Sequence, residues 1–196
     1  MKFEFKRSAL IRVAALLLAA TAPVLSGCDD DDTTEELKRQ IEETKRTDDE
    51  LIRGYLTRNN ITQFTRLDST DNAGIYIVNI TDGSSTNPRI KTGQQVEVKY
   101  VGRFLRESGA QSQDVIFDNS SDSRVPCGCI NFTVGAGQVI KGWEAVALKM
   151  RKGDRKMVLI PSYLAYGTQG TSGNVTRPGI PPNEPLRFDM EILDVR

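Results

Sequence analysis

The stretch Val139-Ile140-Lys141-Gly142-Trp143-Glu144 constrains this chain more than any other. It holds the only Trp among 196 residues, placed after two β-branched residues and a Gly. A short apolar pattern follows, Glu144-Ala145-Val146-Ala147-Leu148-Lys149-Met150, which reads as one brief buried helix. An indole at the mouth of such a helix offers wide, rigid contact area. It therefore suits the floor of an apolar pocket as well as a place in an ordinary core. The segments on either side decide between the two.

Around that helix the pattern is that of strands. Ile75-Tyr76-Ile77-Val78-Asn79-Ile80 is rich in β-formers and ends at the turn signals Asp82-Gly83 and Asn87-Pro88. Val96, Val98 and Tyr100 alternate along Val96 to Gly102, and further strands are expected at 115–117, 130–134, 156–160 and 186–193. Many strands with one short central helix predict an antiparallel α+β domain over residues 74–196.

Residues 33–58 predict a helix, with Glu35 and Glu36 where the helix dipole favours acids. Apolar positions are sparse at Leu37 and Ile41, then cluster at Leu51, Ile52, Tyr55 and Leu56. The first half is expected to be a solvated arm and the second half to dock, over a length of about 38 Å. The heptad signal is too thin to favour dimerisation through this arm, though a dimer stays open.

The first 27 residues are read as a leader. Lys2, Lys6, Arg7 and Arg12 precede an apolar run, Val13 to Ala22, too short to span a bilayer. Leu25-Ser26-Gly27-Cys28 resembles the bacterial lipobox, which implies acylation of Cys28 and a chain held at a membrane in the cell envelope. Asp29 to Asp32 should be extended and solvated, because four adjacent like charges repel and bury nothing. In some lineages such a run resembles a surface-export signal, and in others Asp after the lipidated Cys resembles an inner-membrane retention signal. The outer membrane or cell surface is favoured. Residues 28–73 are accordingly read as tether and arm.

Composition excludes several chemistries. The chain has no His, so nucleophile arrangements with a His base and imidazole zinc sites are ruled out. Beyond Cys28, only Cys127 and Cys129 remain, too few for a four-Cys site, and neither a cofactor nor a metal is expected. Basic and acidic residues balance at 26 each, with no basic block, which argues against nucleic-acid binding.

Six segments in order then carry a resemblance. Val96-Glu97-Val98-Lys99-Tyr100-Val101-Gly102, Phe117-Asp118-Asn119-Ser120, Val139 to Glu144, Leu164-Ala165-Tyr166-Gly167, Ile180-Pro181-Pro182-Asn183 and Leu186-Arg187-Phe188-Asp189 are similar to the FK506-binding-protein type of peptidyl-prolyl isomerase. The resemblance implies a bent antiparallel sheet wrapped around the helix after Trp143. It implies proline-containing polypeptides as partners and a pocket of the kind that takes macrolides. Trp143 becomes the pocket floor, with Tyr100, Phe117, Val139, Ile140 and Phe188 as walls and Ile180 on an overhanging loop. Tyr166 and the backbone N–H of Ile140 become donors to ligand carbonyls, and Asp118 lies near the reacting amide and orients Tyr100. The alternative is a proline-binding chaperone or assembly lipoprotein without turnover.

Departures from the family pattern fall on one wall. The basic residue expected to support Asp118 is replaced by Ser123, with Arg124 one step on. Val125-Pro126-Cys127-Gly128-Cys129-Ile130 is longer than in compact members, and Ile130 stands where an aromatic wall is expected. Cys127 and Cys129 are left open as a disulfide, as two thiols or as a redox pair. The loop from Thr168 to Pro178 is polar, Gly-rich and expected to be mobile.

Overall fold

The computed structural model describes residues 30–105, 115–122 and 126–196. The leader, Cys28, Ser123 and Arg124 lie outside the described residues. Helix α1 (Asp30–Arg58) is followed by strands β1 (Thr65–Leu67), β2 (Ile75–Thr81), β3 (Gln95–Phe104), β4 (Ile116–Asn119) and β5 (Ile130–Thr133). Then come α2 (Lys141–Ala147), β6 (Arg155–Ile160) and β7 (Leu186–Val195), with single 3-10 turns at Ser120–Asp122 and Ser162–Leu164.

All strands join one antiparallel sheet in the order β1-β2-β6-β7-β3-β4. Strand β3 is long enough to share its second edge, pairing β5 through Gln95 to Val98 and β4 through Val101 to Arg103. The register breaks between Gly102 and Arg103 and between Glu97 and Val98, and such bulges bend a sheet. The expected antiparallel α+β architecture is therefore present.

Side-chain alternation explains which strands read as apolar runs. On β2, Ile75 and Ile77 face the core under α2, while Tyr76 and Val78 face α1. On β6, Val158 and Ile160 face α2, while Met157 and Leu159 face α1. Both faces are buried there, so both strands are continuously apolar. On β7 only one face is buried (Leu186, Phe188, Met190 and Ile192), and charged residues alternate with them. Strand β7 therefore shows the period of two that a half-buried strand requires.

Helix α1 is docked only in its second half. Residues 33–42 are exposed, whereas Ile52, Tyr55 and Leu56 are buried against the sheet. Each such burial stabilises by roughly 1.5–3 kcal/mol. Two expectations are corrected at this end. The helix begins at Asp30, so the acidic run is helical from that residue on rather than extended. The sheet also begins before residue 74, since β1 pairs with β2. A three-residue strand is too short to leave a periodic trace in sequence.

Helix α2 lies so close to the sheet that a Cβ on Gly142 would meet Ile160 Cγ2 at 2.5 Å. Only Gly permits this approach, and it sets the depth at which Trp143 sits.

Candidate active site

Trp143 is 4% exposed and lies beneath a cavity of about 140 Å³. Tyr100 and Phe188 stand edge-on to its ring, with centroids 4.7 and 5.2 Å away and interplanar angles of 83° and 88°. Each T-shaped contact adds about 0.5–1.5 kcal/mol beyond buried area, so the floor and two walls hold one another in place. Tyr100 comes from β3 and Phe188 from β7, paired neighbours in the sheet. The cavity is lined by Tyr100, Asp118, Ile130, Gln138, Val139, Ile140, Trp143, Tyr166 and Phe188. At about 30 Å³ per water it has room for a handful of waters, or one small ring.

Two expected pocket residues, Phe117 of the wall and Ile180 of the overhanging loop, do not line the cavity. Phe117 is buried behind the cavity, its ring 5.5 Å from Phe188 and 5.2 Å from Phe104, and is absent from the lining. A Cβ on Gly102 would meet the Phe117 ring at 2.6 Å, so Gly102 is what lets that ring lie flat behind β3. Ile180 lies in a loop, as expected, but is buried and absent from the lining. Ile130 does line the wall where an aromatic residue was expected.

Asp118, on β4, is half-buried and held from three directions. The Tyr100 hydroxyl donates to Oδ2 at 2.5 Å, the Asn119 N–H donates to Oδ1 at 3.0 Å, and Arg177 Nη1 donates to Oδ1. The basic partner for Asp118 thus comes from the loop before Pro178, where no sequence signal singled it out. Asn174 Oδ1 accepts from the backbone N–H groups of Thr176 and Arg177 and from the Thr176 hydroxyl, closing that loop on itself. Ser120, buried after the Phe-Asp-Asn run, accepts from the Tyr100 N–H and donates to the Tyr100 carbonyl.

Tyr166 reaches the cavity from the 3-10 turn Ser162–Leu164. The N–H groups of Ala165 and Gly167 both bond the Ser162 carbonyl, and Gly167 takes the left-handed conformation at φ 57°. Burial and the nearby Asp118 charge raise the Tyr166 pKa above its ordinary value, and burial with the Asp118 bond raises that of Tyr100 further. Both phenols therefore remain hydrogen-bond donors at neutral pH. Ser162 is itself fixed by α1, where Asp48 Oδ2 accepts from its N–H and its hydroxyl, each at 2.7 Å. Ahead of α2, Glu144 accepts from the N–H groups of Gly135 and Gly137, which accounts for the glycine-rich turn there.

Larger hollows lie elsewhere, including one of about 510 Å³ between α1 and Tyr163 to Thr168. Size does not mark the site; the smaller cavity is where an aromatic floor, a carboxylate and a phenol converge. A family model for FKBP-type peptidyl-prolyl cis-trans isomerase matches residues 87–193. The chain belongs to this family.

Relatives of FKBP type include peptidyl-prolyl cis-trans isomerase Fkbp12 of Drosophila melanogaster, 39% identical over 124 residues, which are 62% of this chain and 98% of that protein. FK506-binding protein 1 of Kluyveromyces lactis is 36% identical over 129 residues, 66% of this chain and 99% of that protein. FK506-binding protein 5 of Dictyostelium discoideum is 38% identical over 118 residues, 60% of this chain but only 6% of that much longer protein. The residues matched by the family model run from before β3 into β7 and include α2.

Proposed function

We propose that this FKBP-type isomerase binds a proline ring over Trp143 and twists the preceding amide in the cavity above it. Rotation about an Xaa-Pro bond faces about 18–20 kcal/mol of amide resonance and takes tens to hundreds of seconds unaided. The planar amide is the more polar form, so water stabilises it more than the twisted one. A site that excludes water and grips the twisted amide lowers the barrier by differential binding. Roughly 5.5 kcal/mol gives about 10⁴-fold acceleration. The edge-on Tyr100–Trp143–Phe188 arrangement carries this reading, because it makes a rigid dry floor of one-ring size. Tyr166 donates to a substrate carbonyl, with the Ile140 N–H as second donor. Asp118 lies against the amide whose charge changes. Two of these relatives are FK506-binding proteins, and the same cavity is proposed to take macrolides of that kind.

The chain is further proposed to be anchored by lipid on Cys28 in a bacterial envelope, assisting exported or surface proteins. This rests on Leu25-Ser26-Gly27-Cys28 and the acidic residues after it; no described helix is long and apolar enough to cross a membrane. Turnover is tested by NMR exchange on an Ala-Leu-Pro-Phe type peptide, where an uncatalysed rate at micromolar protein contradicts it. Anchoring is tested by labelled-palmitate incorporation in wild type and Cys28→Ala. Label in both or in neither counts against the lipid reading.

A further inference from the structure

Cys127 and Cys129 form a disulfide across a single residue, with Cα atoms 5.2 Å apart. Such a bridge does little for stability, since the loop-closure benefit grows with the length enclosed, and here that is one residue. Its two sulfurs differ. Cys129 is fully buried, whereas Cys127 is half-buried beside the exposed Pro126. Glu97, on β3, places Oε1 3.2 Å from Cys129 Sγ. A carboxylate against a disulfide sulfur has no hydrogen to accept; against a thiol it does. The next residue, Ile130, lines the cavity wall.

We propose that Cys127-Gly128-Cys129 is a thiol–disulfide exchange site for cysteine-bearing polypeptides, with Cys127 as the attacked and attacking sulfur. A client thiolate attacks Cys127 Sγ, so a client–Cys127 bond forms as the Cys127–Cys129 bond breaks. The electron pair passes to Cys129 Sγ, which takes, relayed through Glu97, the proton the client thiol gave up on forming the thiolate. A second client thiolate then attacks the client sulfur of the mixed disulfide, forming a client disulfide and releasing Cys127 as thiolate. The client loses two electrons and the pair gains two. The same steps in reverse reduce a mispaired client disulfide and restore the bridge, with Glu97 accepting the Cys129 proton. Cycling between two client sulfur pairs needs no outside oxidant. A partly accessible attacking sulfur with a buried, carboxylate-backed partner is the division of labour this exchange requires.

That the client is a polypeptide rests on the isomerase reading; the exchange chemistry does not. The test uses the full chain with glutathione and with scrambled ribonuclease A, alongside isomerisation of a Cys-free proline peptide as a control for folding. Expected are a glutathione adduct on Cys127 trapped in Cys129→Ser, and reactivation of the ribonuclease that is lost in Cys127→Ser. Glu97→Gln should slow reactivation about a hundredfold. Reactivation equal in wild type and the Cys127→Ser/Cys129→Ser double variant overturns the proposal, as does a bridge that never exchanges with glutathione. Glutathione exchange without ribonuclease reactivation overturns the polypeptide client. An uncatalysed isomerisation rate with the wild type would instead count against the isomerase reading.

Discussion

Arg177, in the loop before Pro178, donates to Asp118 across 59 residues of chain. This ion pair is partly exposed, with side chains 38% and 29% accessible, so its worth to stability is small. Its role is to hold the carboxylate that also receives the Tyr100 hydroxyl. Arg177→Met is expected to lower kcat/KM on a proline peptide roughly twofold to fivefold, the equivalent of about 0.4–1 kcal/mol. Urea unfolding should be nearly unchanged. Arg177→Lys should fall between, because an ammonium lacks the planar fork. Full activity in Arg177→Met would remove Arg177 from the site.

Asp48 fixes the turn that delivers Tyr166, through two bonds to Ser162. Asp48→Ala leaves the buried Ser162 donors unmet and is expected to cost about 1–3 kcal/mol in urea unfolding. Burial is the largest influence on the Asp48 carboxyl and raises its pKa, partly offset by the Ser162 bonds. The folded state therefore holds this proton more tightly than the unfolded chain. The stability linked to that proton is full below the ordinary value of 3.8 and is lost as pH rises through the folded pKa. Asp48→Asn has no such loss, so its Tm relative to wild type should climb from acid to neutral pH. A difference independent of pH would contradict this.

Gly142 and Ile160 set the depth of the floor. Gly142→Ala places a Cβ 2.5 Å from Ile160 Cγ2 and should destabilise by about 1–3 kcal/mol, displacing Trp143 and lowering activity. Combining it with Ile160→Ala, which removes the clashing methyl, should cost less than the two single changes added together. Simple additivity would mean the two positions do not press on each other.

Neither phenol in the cavity should lose its proton below about pH 9, since both titrate above their ordinary value of 10.0. The alkaline side of the kcat/KM profile should therefore be flat from neutral pH to about pH 9. A fall centred within that range would contradict the raised values of both phenols.

The strands around the cavity were legible because burial on one or two faces imposes period two or a continuous apolar run. Val96 to Gly102, Met157 to Ile160 and Leu186 to Ile192 carry those patterns directly. The floor was legible because Trp143 is unique and sits at a helix entry. Arg177 was not, because an ion pair across a long loop leaves no local periodicity. Asp48 escaped for the same reason, its partner lying 114 residues away. The resemblance implies Phe117 as a wall; its ring packs on Phe104 and Phe188 and is absent from the cavity lining, a placement that depends on side-chain packing and leaves no trace in local sequence.

The central claim is that a proline ring rests on Trp143. The most direct measurement is an NMR titration of the protein with a proline-containing peptide, following the ring protons of the proline. The expected result is an upfield ring-current shift of those protons, with Overhauser contacts to the Trp143 indole, both absent in Trp143→Leu. Unshifted proline protons, or contacts to the hollow beside Leu37 and Ile41 instead, would contradict it.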